Sequence, residues 1–445
     1  MRALTRPARG AIIKHMQRRQ FLSGGALTAL AAQRAMGAND RVTVGLIGCG
    51  GRGRYVAALM REAPGVDYGA TADVYLPNAE RAKEWAGPNA RAYQDFRRML
   101  DQKDIDAVQI ATPDHWHATA TVLACQAGKD VYVEKPLAHN VREGRAMVNA
   151  ARRYNRIVQA GTQHRSSLHF REVQQIVQSG ALGKVNWVRV WNYTNMFPNG
   201  IGREPDGEPP AGLDWDFYLG PAPLVPFNRK RFLVTYRWFW DYSGGYITDF
   251  GTHRLDTVQQ VMGVNAPKTV SASGARFSLR DAGEIPDVLQ VTYEYPGFVM
   301  SYETCLLNGH GVGGRTANMK YYNAKGAEDR PNGMAFYGTN GALYADRIGY
   351  EIYPEPKSPL ERKQMNTTDA TRLHAANFID CVRSRNKPNA DVETGHRSTT
   401  VAHLGNIAFK TGKKLHWNSE TEEFVDDGEA SKLLARQARK PWDLI

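Results

Sequence analysis

The sequence predicts an α/β fold: a doubly wound parallel sheet in the N-terminal part, followed by a second part of α+β character. Three observations carry this prediction. A β-branched apolar run, Val42–Ile47, leads directly into a glycine-rich turn and a helical stretch. Strand and helix patterns then alternate at the spacing of βαβ units as far as Gly161. Beyond Gly161 this alternation stops, and longer β stretches separated by loops follow.

The turn after Val42–Ile47 has the G-x-G-x-x-G spacing of a dinucleotide-binding loop. Gly48 permits the tight turn, Gly50 lets a pyrophosphate approach the backbone, and Gly53 lets the following helix pack closely on the strand. A helical stretch over residues 55–61 would direct its free N–H groups and positive dipole end toward the phosphates. A glycine-rich loop without a ligand is the alternative. The cofactor contacts predicted in this turn are Gly48, Gly50, Gly51, Arg52 and Gly53.

Asp73 follows the second predicted strand, Val66–Ala72, and lies twenty residues after Gly53. A carboxylate at this point can accept hydrogen bonds from both ribose hydroxyls and would repel a 2′-phosphate. The sequence therefore favours NAD over NADP. Arg52 and Arg54 lie close enough in the turn to weaken that preference.

The remaining elements follow from the same patterns. In the first part we predict helices over residues 77–85, 93–100, 118–127 and 141–154, and strands over 105–111, 130–133 and 157–161. In the second part we predict a helix over 168–179 and strands over 185–193, 269–277, 287–295 and 298–305. The loops over residues 198–226 and 309–330 are long, which suits a lid or an oligomer contact equally.

Two predicted strands end in candidate ligand-binding loops. The strand over 105–111 runs into TPDHWH, residues 112–117, where a proline ends the ladder at the carboxyl edge of the sheet. The strand over 130–133 runs into Glu134-Lys135-Pro136. There the Lys135 ammonium could hydrogen-bond a substrate hydroxyl or the nicotinamide ribose, although a lysine at a strand end is by itself more often a solvated charge.

Asp249 and His253 lie four residues apart after Gly244-Gly245, so a helix would place them on one face. A carboxylate and an imidazole together suit proton removal from an alcohol while hydride leaves carbon. Imidazole titrates near neutrality, and the neighbouring carboxylate is expected to favour its charged form. A surface Asp–His pair is the alternative that spacing alone leaves open.

Composition excludes several other classes of protein. The chain of 445 residues has a net charge of +12, but seven basic residues and no acid fall within residues 1–37. The remaining 50 basic and 45 acidic residues form no basic run, so we expect no nucleic-acid partner. The four cysteines are far apart, and no His or Cys motif has metal-ligand spacing, so we expect neither a disulfide framework nor a metal site.

The N-terminal segment resembles a twin-arginine export signal. Arg18-Arg19 is followed by Gln20-Phe21-Leu22 and a modest apolar stretch to Ala32, which is too short for a stable membrane anchor. We expect residues 1–37 to be a signal peptide read by the export machinery, cleaved near Ala38, and the mature protein to be periplasmic or otherwise exported. A basic N-terminus without a targeting role is the alternative.

Taken together, these motifs resemble the glucose–fructose oxidoreductase and inositol dehydrogenase family, Gfo/Idh/MocA. The matching pieces cover most of residues 42–260: VGLIGCGGRG, Asp73, ATPDHWH, AGKDVYVEKPLA, GTQHRS and GGYITDFGTHRLD. With ATPDHWH, GTQHRS and a twin-arginine leader, the chain is similar to a subgroup of exported bacterial members of this family. The resemblance implies a Rossmann domain over 38–161 and, over 162–445, an α+β substrate and oligomerisation domain with a large open mixed sheet.

The resemblance also assigns roles to individual residues. His253 is implied as general base and acid, Asp249 as its partner and a ligand of a substrate hydroxyl, and Lys135 as the cation that stabilises a developing alkoxide. Besides the turn and Asp73, the implied cofactor contacts are Thr112, Pro113, His117, Glu134, Lys135 and Gln163. The implied substrate-pocket residues are His164, Arg165 and Trp191, with core packing of Trp191 an equal alternative.

We therefore expect an NAD-dependent oxidoreductase acting on a hydroxyl of a sugar, sugar derivative, glycoside or cyclitol, assembled as a homo-oligomer. Outside the cytoplasm no soluble nicotinamide pool is replenished, so the cofactor is expected to stay tightly bound and to be recycled. A first alternative is an NAD-dependent glycoside hydrolase or lyase that works through a transient keto sugar. A second is a sugar-binding protein without activity, which would have lost the catalytic set.

Overall fold

In the described chain, six strands with helices between them form the first sheet. The computed structural model describes residues 41–323, 329–425 and 427–443, so the predicted leader lies outside the described residues. The elements in order are β1 (Val42–Ile47), α1 (Gly51–Met60), β2 (Val66–Ala72), α2 (Leu76–Ala86), β3 (Arg91–Tyr93), α3 (Phe96–Leu100), β4 (Ala107–Ile110), α4 (His117–Gln126), β5 (Asp130–Val133), α5 (Val141–Arg153) and β6 (Val158–Ala160).

This first sheet has the strand order β3-β2-β1-β4-β5-β6, and its neighbouring strands run parallel. Every residue of β4 and β5 is buried, as expected where helices cover both faces of a parallel sheet. From β1 the chain adds β2 and β3 on one side of the sheet and then β4, β5 and β6 on the other. The connections after β1 and β4 therefore run in opposite directions, and a crevice opens at the carboxyl ends of these two strands. The predicted Rossmann fold is confirmed.

The predicted helix over residues 93–100 is wrong in its first turn. Arg91–Tyr93 forms a short edge strand that pairs with β2, and α3 starts only at Phe96. Asp95 caps that helix, because its side chain accepts a hydrogen bond from the N–H of Arg97. A strand of three residues is too short to show the alternation by which sequence reveals strands.

The second part of the chain forms a larger sheet. Its helices and strands are α6 (Leu168–Gln178), β7 (Val185–Asn195), α7 (Trp215–Leu219), α8 (Thr252–Met262), β8 (Thr269–Ala275), β9 (Val288–Tyr295), β10 (Phe298–Cys305), β11 (Leu307–Asn308), β12 (Asn332–Gly338), β13 (Gly341–Asp346), β14 (Gly349–Pro354), β15 (Lys363–Asn366), α9 (Thr371–Ser384), α10 (Val392–Thr411), β16 (Leu415–Asn418), β17 (Glu423–Phe424) and α11 (Gly428–Lys432). None of the helices in the described residues is long and apolar enough to cross a membrane.

The order in the larger sheet is β15-β14-β13-β12-β7-β10-β9-β8-β16-β17, with β11 beside β7. The strands β7 and β10 are parallel, whereas the other pairs in this order are antiparallel. The inner face packs on α6, α8 and α10 through one apolar core that includes Phe170, Leu255 and Leu404. The predicted large mixed sheet is confirmed.

Helices late in the chain return to the first sheet. The Nε2 atom of His374, on α9, lies 2.8 Å from the carbonyl oxygen of Ala160, at the end of β6. The hydroxyl of Thr399, on α10, accepts a hydrogen bond from the N–H of Leu137 at 3.0 Å. Segments of the second part of the sequence thus pack directly on the first sheet.

Candidate active site

A cleft of about 640 Å³ follows the carboxyl ends of β1, β4, β5 and β6 and extends under residues 217–253. Its lining includes most of the residues predicted to bind cofactor or to act in catalysis. Those that line it are Gly48, Gly50, Gly51, Arg52, Asp73, Thr112, Pro113, Glu134, Lys135, Gln163, Asp249 and His253. Those that do not are Gly53, His117, His164, Arg165 and Trp191.

The glycine turn is shaped to receive a dinucleotide. Gly48 has φ +86°, and a Cβ there would lie 2.6 Å from the carbonyl of Ala111. Gly50 and Gly51 face open space, so their backbone is accessible to a phosphate from the cleft. Helix α1 begins at Gly51, four residues earlier than predicted, which places its free N–H groups at the turn itself. Gly53 lies beneath, where a side chain would collide with the carbonyl of Gly48.

Several polar atoms along the cleft are buried without a partner among the described residues. They are Nη2 of Arg52, Oγ1 of Thr112 and Oε1 of Gln163. Burying a polar group without a hydrogen bond is costly, and unpaired groups in a native structure call for an explanation. A polar ligand that fills the cleft would supply the missing partners, so the site fits NAD.

Asp73 is oriented by its own backbone surroundings. Its carboxylate accepts hydrogen bonds from the N–H groups of Cys49, at 2.8 Å, and Tyr75, at 2.9 Å. Burial raises the pKa of Asp73 to about 6, against the opposing effect of those N–H groups. Asn78, beside it in the cleft, lies 3.5 Å from the same carboxylate.

Lys135 and Asp249 meet in the inner part of the cleft. The Lys135 ammonium contacts Oδ1 of Asp249 directly and donates to the Asp249 carbonyl oxygen at 3.0 Å. Nε of Arg237 lies 3.3 Å from the same carboxylate oxygen. Burial alone would raise the pKa of Asp249, but Lys135 and Arg237 outweigh it and hold that pKa well below its usual range. Asp249 is therefore an ionised carboxylate whose Oδ2 accepts no hydrogen bond from the described residues.

The expected Asp249–His253 pair is wrong in its geometry. Residues Ile247–Gly251 form a π-helical turn, and α8 begins only at Thr252. The wider turn changes the angular relation of positions four apart, so the carboxylate is directed to Lys135 instead of the imidazole. Both side chains still line the cleft.

The expected charge of His253 is also corrected. Burial lowers the pKa of His253 well below its ordinary value, and the cations of Arg347 and Lys135 lower it further. Its ring packs against that of His164, with centroids 5.3 Å apart. His253 is therefore a neutral imidazole at physiological pH, in the state that can accept a proton.

His164 lies behind His253 rather than in the cleft. Its Nδ1 is 2.9 Å from the hydroxyl of Thr257, and its Nε2 accepts from Arg347 at 3.4 Å. Because the Thr257 hydroxyl donates to the carbonyl of His253, it accepts from His164, which fixes the His164 tautomer.

The other predicted residues outside the lining have structural partners. Arg165 pairs with the buried carboxylate of Asp256 at 2.8 Å. The indole N–H of Trp191 donates to the carbonyl of Arg330 at 2.7 Å, and the side chain is fully buried, so the structure favours the packing alternative. Both ring nitrogens of His117 face carbonyl oxygens, those of Pro136 at 2.7 Å and Thr112 at 3.0 Å. His117 thus connects the loops after β4 and β5, which carry the predicted cofactor contacts.

Two arginines in the lining, Arg237 and Arg347, were not predicted from sequence. Arg237 precedes the aromatic run WFWDY, and Arg347 follows β13, more than 90 residues after His253 in the chain. Neither belongs to a local motif, so no sequence signal singles them out. In the described residues, no group of three or more His, Cys, Asp or Glu side chains is arranged to hold a metal ion.

Comparison with known proteins settles the family. Residues 42–162 match the Gfo/Idh/MocA oxidoreductase family, NAD-binding Rossmann fold, and residues 166–300 and 324–444 match its C-terminal alpha/beta domain. The chain belongs to this family. Its members are oxidoreductases with an NAD-binding Rossmann fold, so the predictions of enzyme class and of NAD are supported at that level.

The relatives of this family member include dehydrogenases of carbohydrate-like substrates. The levoglucosan dehydrogenase of Pseudarthrobacter phenanthrenivorans is 32% identical over 50% of this chain and 52% of that protein. Inositol 2-dehydrogenase 3 of Saccharopolyspora erythraea is 34% identical over 32% of this chain and 42% of that protein. The chain thus spans about half the length of these relatives. A levoglucosan dehydrogenase solved with NADH and levoglucosan shares the fold, with a TM-score of 0.63, 18% identity, and coverage of 84% of this chain and 99% of that one.

Proposed function

We propose that this family member oxidises a hydroxyl-bearing carbon of a sugar, sugar derivative or cyclitol with NAD. One observation carries the proposal: the glycine turn and Asp73 share a single cleft with Lys135, Asp249 and His253. A cofactor seated on the turn and a substrate at Lys135 would therefore meet inside it. The named activities of the levoglucosan and inositol dehydrogenases support the choice of a carbohydrate-like substrate.

Oxidation of an alcohol removes a proton from its oxygen and a hydride from its carbon, and different residues of the cleft would assist these two steps. NAD supplies the hydride acceptor when it is bound. His253 takes the hydroxyl proton at Nε2, because its Nδ1 is enclosed. The Lys135 ammonium stabilises the developing alkoxide, and Asp249 fixes the ammonium and offers Oδ2 to a neighbouring hydroxyl. Arg52, Thr112 and Gln163 would orient the cofactor through the atoms that lack partners.

A substrate panel tests the proposed oxidation. Sugars, sugar acids, glycosides and inositols are incubated with the NAD-loaded protein, and NADH absorbance is recorded. We expect at least one of them to reduce NAD and Lys135→Met to lower kcat roughly 10²- to 10⁴-fold. Loss of absorbance change with every compound, in a protein shown to bind NAD, would contradict the proposal.

We also propose that the cofactor stays bound between turnovers. Residues 212–243, here called the cover segment, lie over the Asp73 end of the cleft. The N–H of Asp214 donates to the carbonyl of Val74 at 3.0 Å, and the ring of Phe232 meets that of Tyr75 edge-on at 5.9 Å. Aromatic side chains of this segment line the cleft, namely Phe217, Tyr218, Phe232, Tyr236 and Trp238.

Retention of the cofactor favours a redox-neutral cycle, because a bound nicotinamide must be returned to its starting state before the next turnover. The glycoside hydrolase or lyase that forms a transient keto sugar is the corresponding second candidate. Quantifying NAD released from acid-denatured protein should give close to one per chain after gel filtration. Release of phenol from aryl glycosides without net NADH would favour the second candidate, and a protein that loses its NAD on gel filtration would contradict retention.

Export is the third part of the proposal. The twin-arginine leader carries folded proteins, which suits an enzyme that must load its cofactor in the cytoplasm. Replacing Arg18 and Arg19 with lysine should leave the protein in the cytoplasmic fraction, whereas the native leader should deliver it outside. Equal fractionation of both forms would contradict export.

A further inference from the structure

Four cationic side chains gather at and beneath the inner end of the cleft, those of Lys135, Arg237, Arg254 and Arg347. The buried carboxylate of Asp114 also acts on Lys135 and Arg237, but its oxygens accept hydrogen bonds from the hydroxyls of Tyr236 and Ser243. Lys135 and Arg237 share one carboxylate, that of Asp249. Nε of Arg347 lies 3.5 Å from Oδ2 of Asp369, which is the only ion pair that Arg347 makes among the described residues. Arg254 is 3% exposed and has no carboxylate within ion-pair distance in the described chain.

Arg254 shows how crowded these cations are. Its guanidinium donates to the carbonyl of Phe250 at 3.1 Å, and it lies next to Arg347. Burial lowers the pKa of Arg254 to about 10, and Arg347 adds to the effect. The carboxylate of Asp346 opposes this lowering of the pKa, but it accepts hydrogen bonds from the backbone N–H groups of Tyr322 and Ile348 and forms no ion pair with Arg254 among the described residues.

Two of these arginines each have one guanidinium nitrogen that finds no acceptor among the described residues. Arg237 uses Nε on Asp249 and Nη1 on the carbonyl of Val234, at 3.2 Å. Arg347 uses Nε on His164 and Nη1 on the hydroxyl of Tyr322, at 2.8 Å. The Nη2 groups of Arg237 and Arg347 have no acceptor among the described residues, although both side chains line the cleft.

We propose that the substrate is a carbohydrate acid whose carboxylate is bound by Arg347 and Arg237, with Arg254 contributing its charge from beneath. The inference rests on the proposed oxidation and narrows its substrate. A buried polar donor without an acceptor is costly, and the nicotinamide ring of oxidised NAD would bring a further positive charge when the cofactor is bound. A neutral sugar would give the two Nη2 donors no anionic partner, whereas a carboxylate accepts two parallel N–H donors in the geometry that guanidinium groups provide.

The structural alternative is that these arginines serve only the protein, by positioning His164 and by keeping His253 neutral. That role would affect the oxidation of every substrate equally. The proposed role changes only the preference for an acid over its neutral counterpart. The ratio of kcat/KM for matched pairs therefore separates the two.

The experiment compares D-glucuronate with its methyl ester and with D-glucose, and D-galacturonate with D-galactose, on the NAD-loaded protein. We expect the acids to be preferred roughly 10- to 100-fold, as for a hydrogen-bonded charge pair. Arg347→Gln should reduce that ratio toward one, Arg347→Lys should restore part of it, and the surface variant Arg98→Gln should leave it unchanged. Equal kcat/KM for acid and ester, or a preference for glucose 6-phosphate over glucuronate, would overturn the carboxylate assignment.

Calorimetric titration of the same compounds distinguishes this inference from the proposed oxidation. Binding of the acids but not of the ester, without NADH formation, would retain the carboxylate site and contradict the oxidation. Oxidation of neutral sugars with no preference for acids would retain the oxidation and overturn the carboxylate site.

Discussion

Lys135 donates to both the carbonyl oxygen and the carboxylate of Asp249, joining the end of β5 to the π-helical turn before α8. The ammonium is thus held at two points, and the carboxylate is kept ionised by this cation and by Arg237. Positioning a cation in this way before the reaction is what makes it useful to a developing alkoxide.

The first prediction concerns Asp249. Asp249→Asn removes the charge and releases Lys135 and Arg237 from their shared partner, so kcat should fall about 10²-fold or more. NAD binding, followed by fluorescence titration, should change little, because the Asp249 side chain contacts Lys135 and Arg237 and not the glycine turn or Asp73. Asp95→Asn, a surface helix cap, is the matched control. Unchanged kcat in Asp249→Asn would rule out a role for this carboxylate.

The second prediction concerns the pH dependence of catalysis. Because the pKa of His253 lies well below 6.5 in the folded protein, the imidazole stays neutral as the pH falls through 6.5. The kcat/KM should therefore remain level between pH 8 and 6.5, and its acid limb should lie lower. An acid limb centred above pH 6.5 would contradict a neutral His253. His253→Gln should remove the limb along with most of the activity.

The cofactor half of the site could be predicted from sequence because its parts are local. The turn, Asp73 and the loops after β4 and β5 each follow directly from a strand that its own residues specify. The parallel order then brings the strand ends to one edge. Lys135, Asp249 and His253 line one cleft, as the sequence predicts, but the direct contact of Lys135 with Asp249 could not be predicted, because a π-helical turn leaves no mark in residue spacing.

The two arginines of the site, Arg237 and Arg347, could not be predicted from the sequence. Arg237 and Arg347 come from segments with no motif, and only tertiary packing places them beside Asp249 and His253. Trp191 shows the converse case. A tryptophan on a strand is a residue type that often binds sugars, but the register of the strand decides whether its side chain faces a pocket or the core. The side chain of Trp191 is buried in the core and donates to the carbonyl of Arg330.

The third prediction concerns Asp73 and the affinity for NAD. The pKa of Asp73 is raised to about 6, so the carboxylate becomes protonated as the pH falls below that value. A protonated carboxyl accepts ribose hydroxyls less well, and NAD affinity should therefore weaken by up to about tenfold per pH unit below 6. Titration of the NAD-free protein between pH 8 and 5 measures this. Asp73→Asn should bind NAD weakly and without that pH dependence; an unchanged slope would assign it to another group.

The fourth prediction concerns the attachment of the cover segment. Asp114 is buried and accepts hydrogen bonds from the hydroxyls of Tyr236, at 3.0 Å, and Ser243, at 2.5 Å. Asp114→Asn replaces charge-assisted hydrogen bonds by weaker ones, which should speed NAD release roughly tenfold. Release is followed by nucleotide fluorescence after dilution, with Asp206→Asn, on an exposed loop, as control. Equal release rates in both variants would mean that the cover segment does not retain the cofactor.

The last prediction concerns acid stability. Burial lowers the pKa of His169, His374 and His403 to about 4 in the folded protein, whereas an unfolded histidine titrates near 6.5. The unfolded state therefore binds more protons between these values, so stability is full above pH 6.5 and is lost as the pH falls toward 4. At pH 5 each of the three costs roughly 2 kcal/mol.

Urea unfolding at pH 7.5, 6 and 5 measures this loss. His403→Gln keeps a donor for the carbonyl of Ala138 but cannot be protonated, so it should reduce the pH dependence by roughly 1.4 kcal/mol per pH unit between 6.5 and 4. His416→Gln, at an exposed position, should leave the dependence unchanged. If His403→Gln and His416→Gln gave the same slope as the native chain, proton uptake by the buried histidines would not be what destabilises the fold in acid.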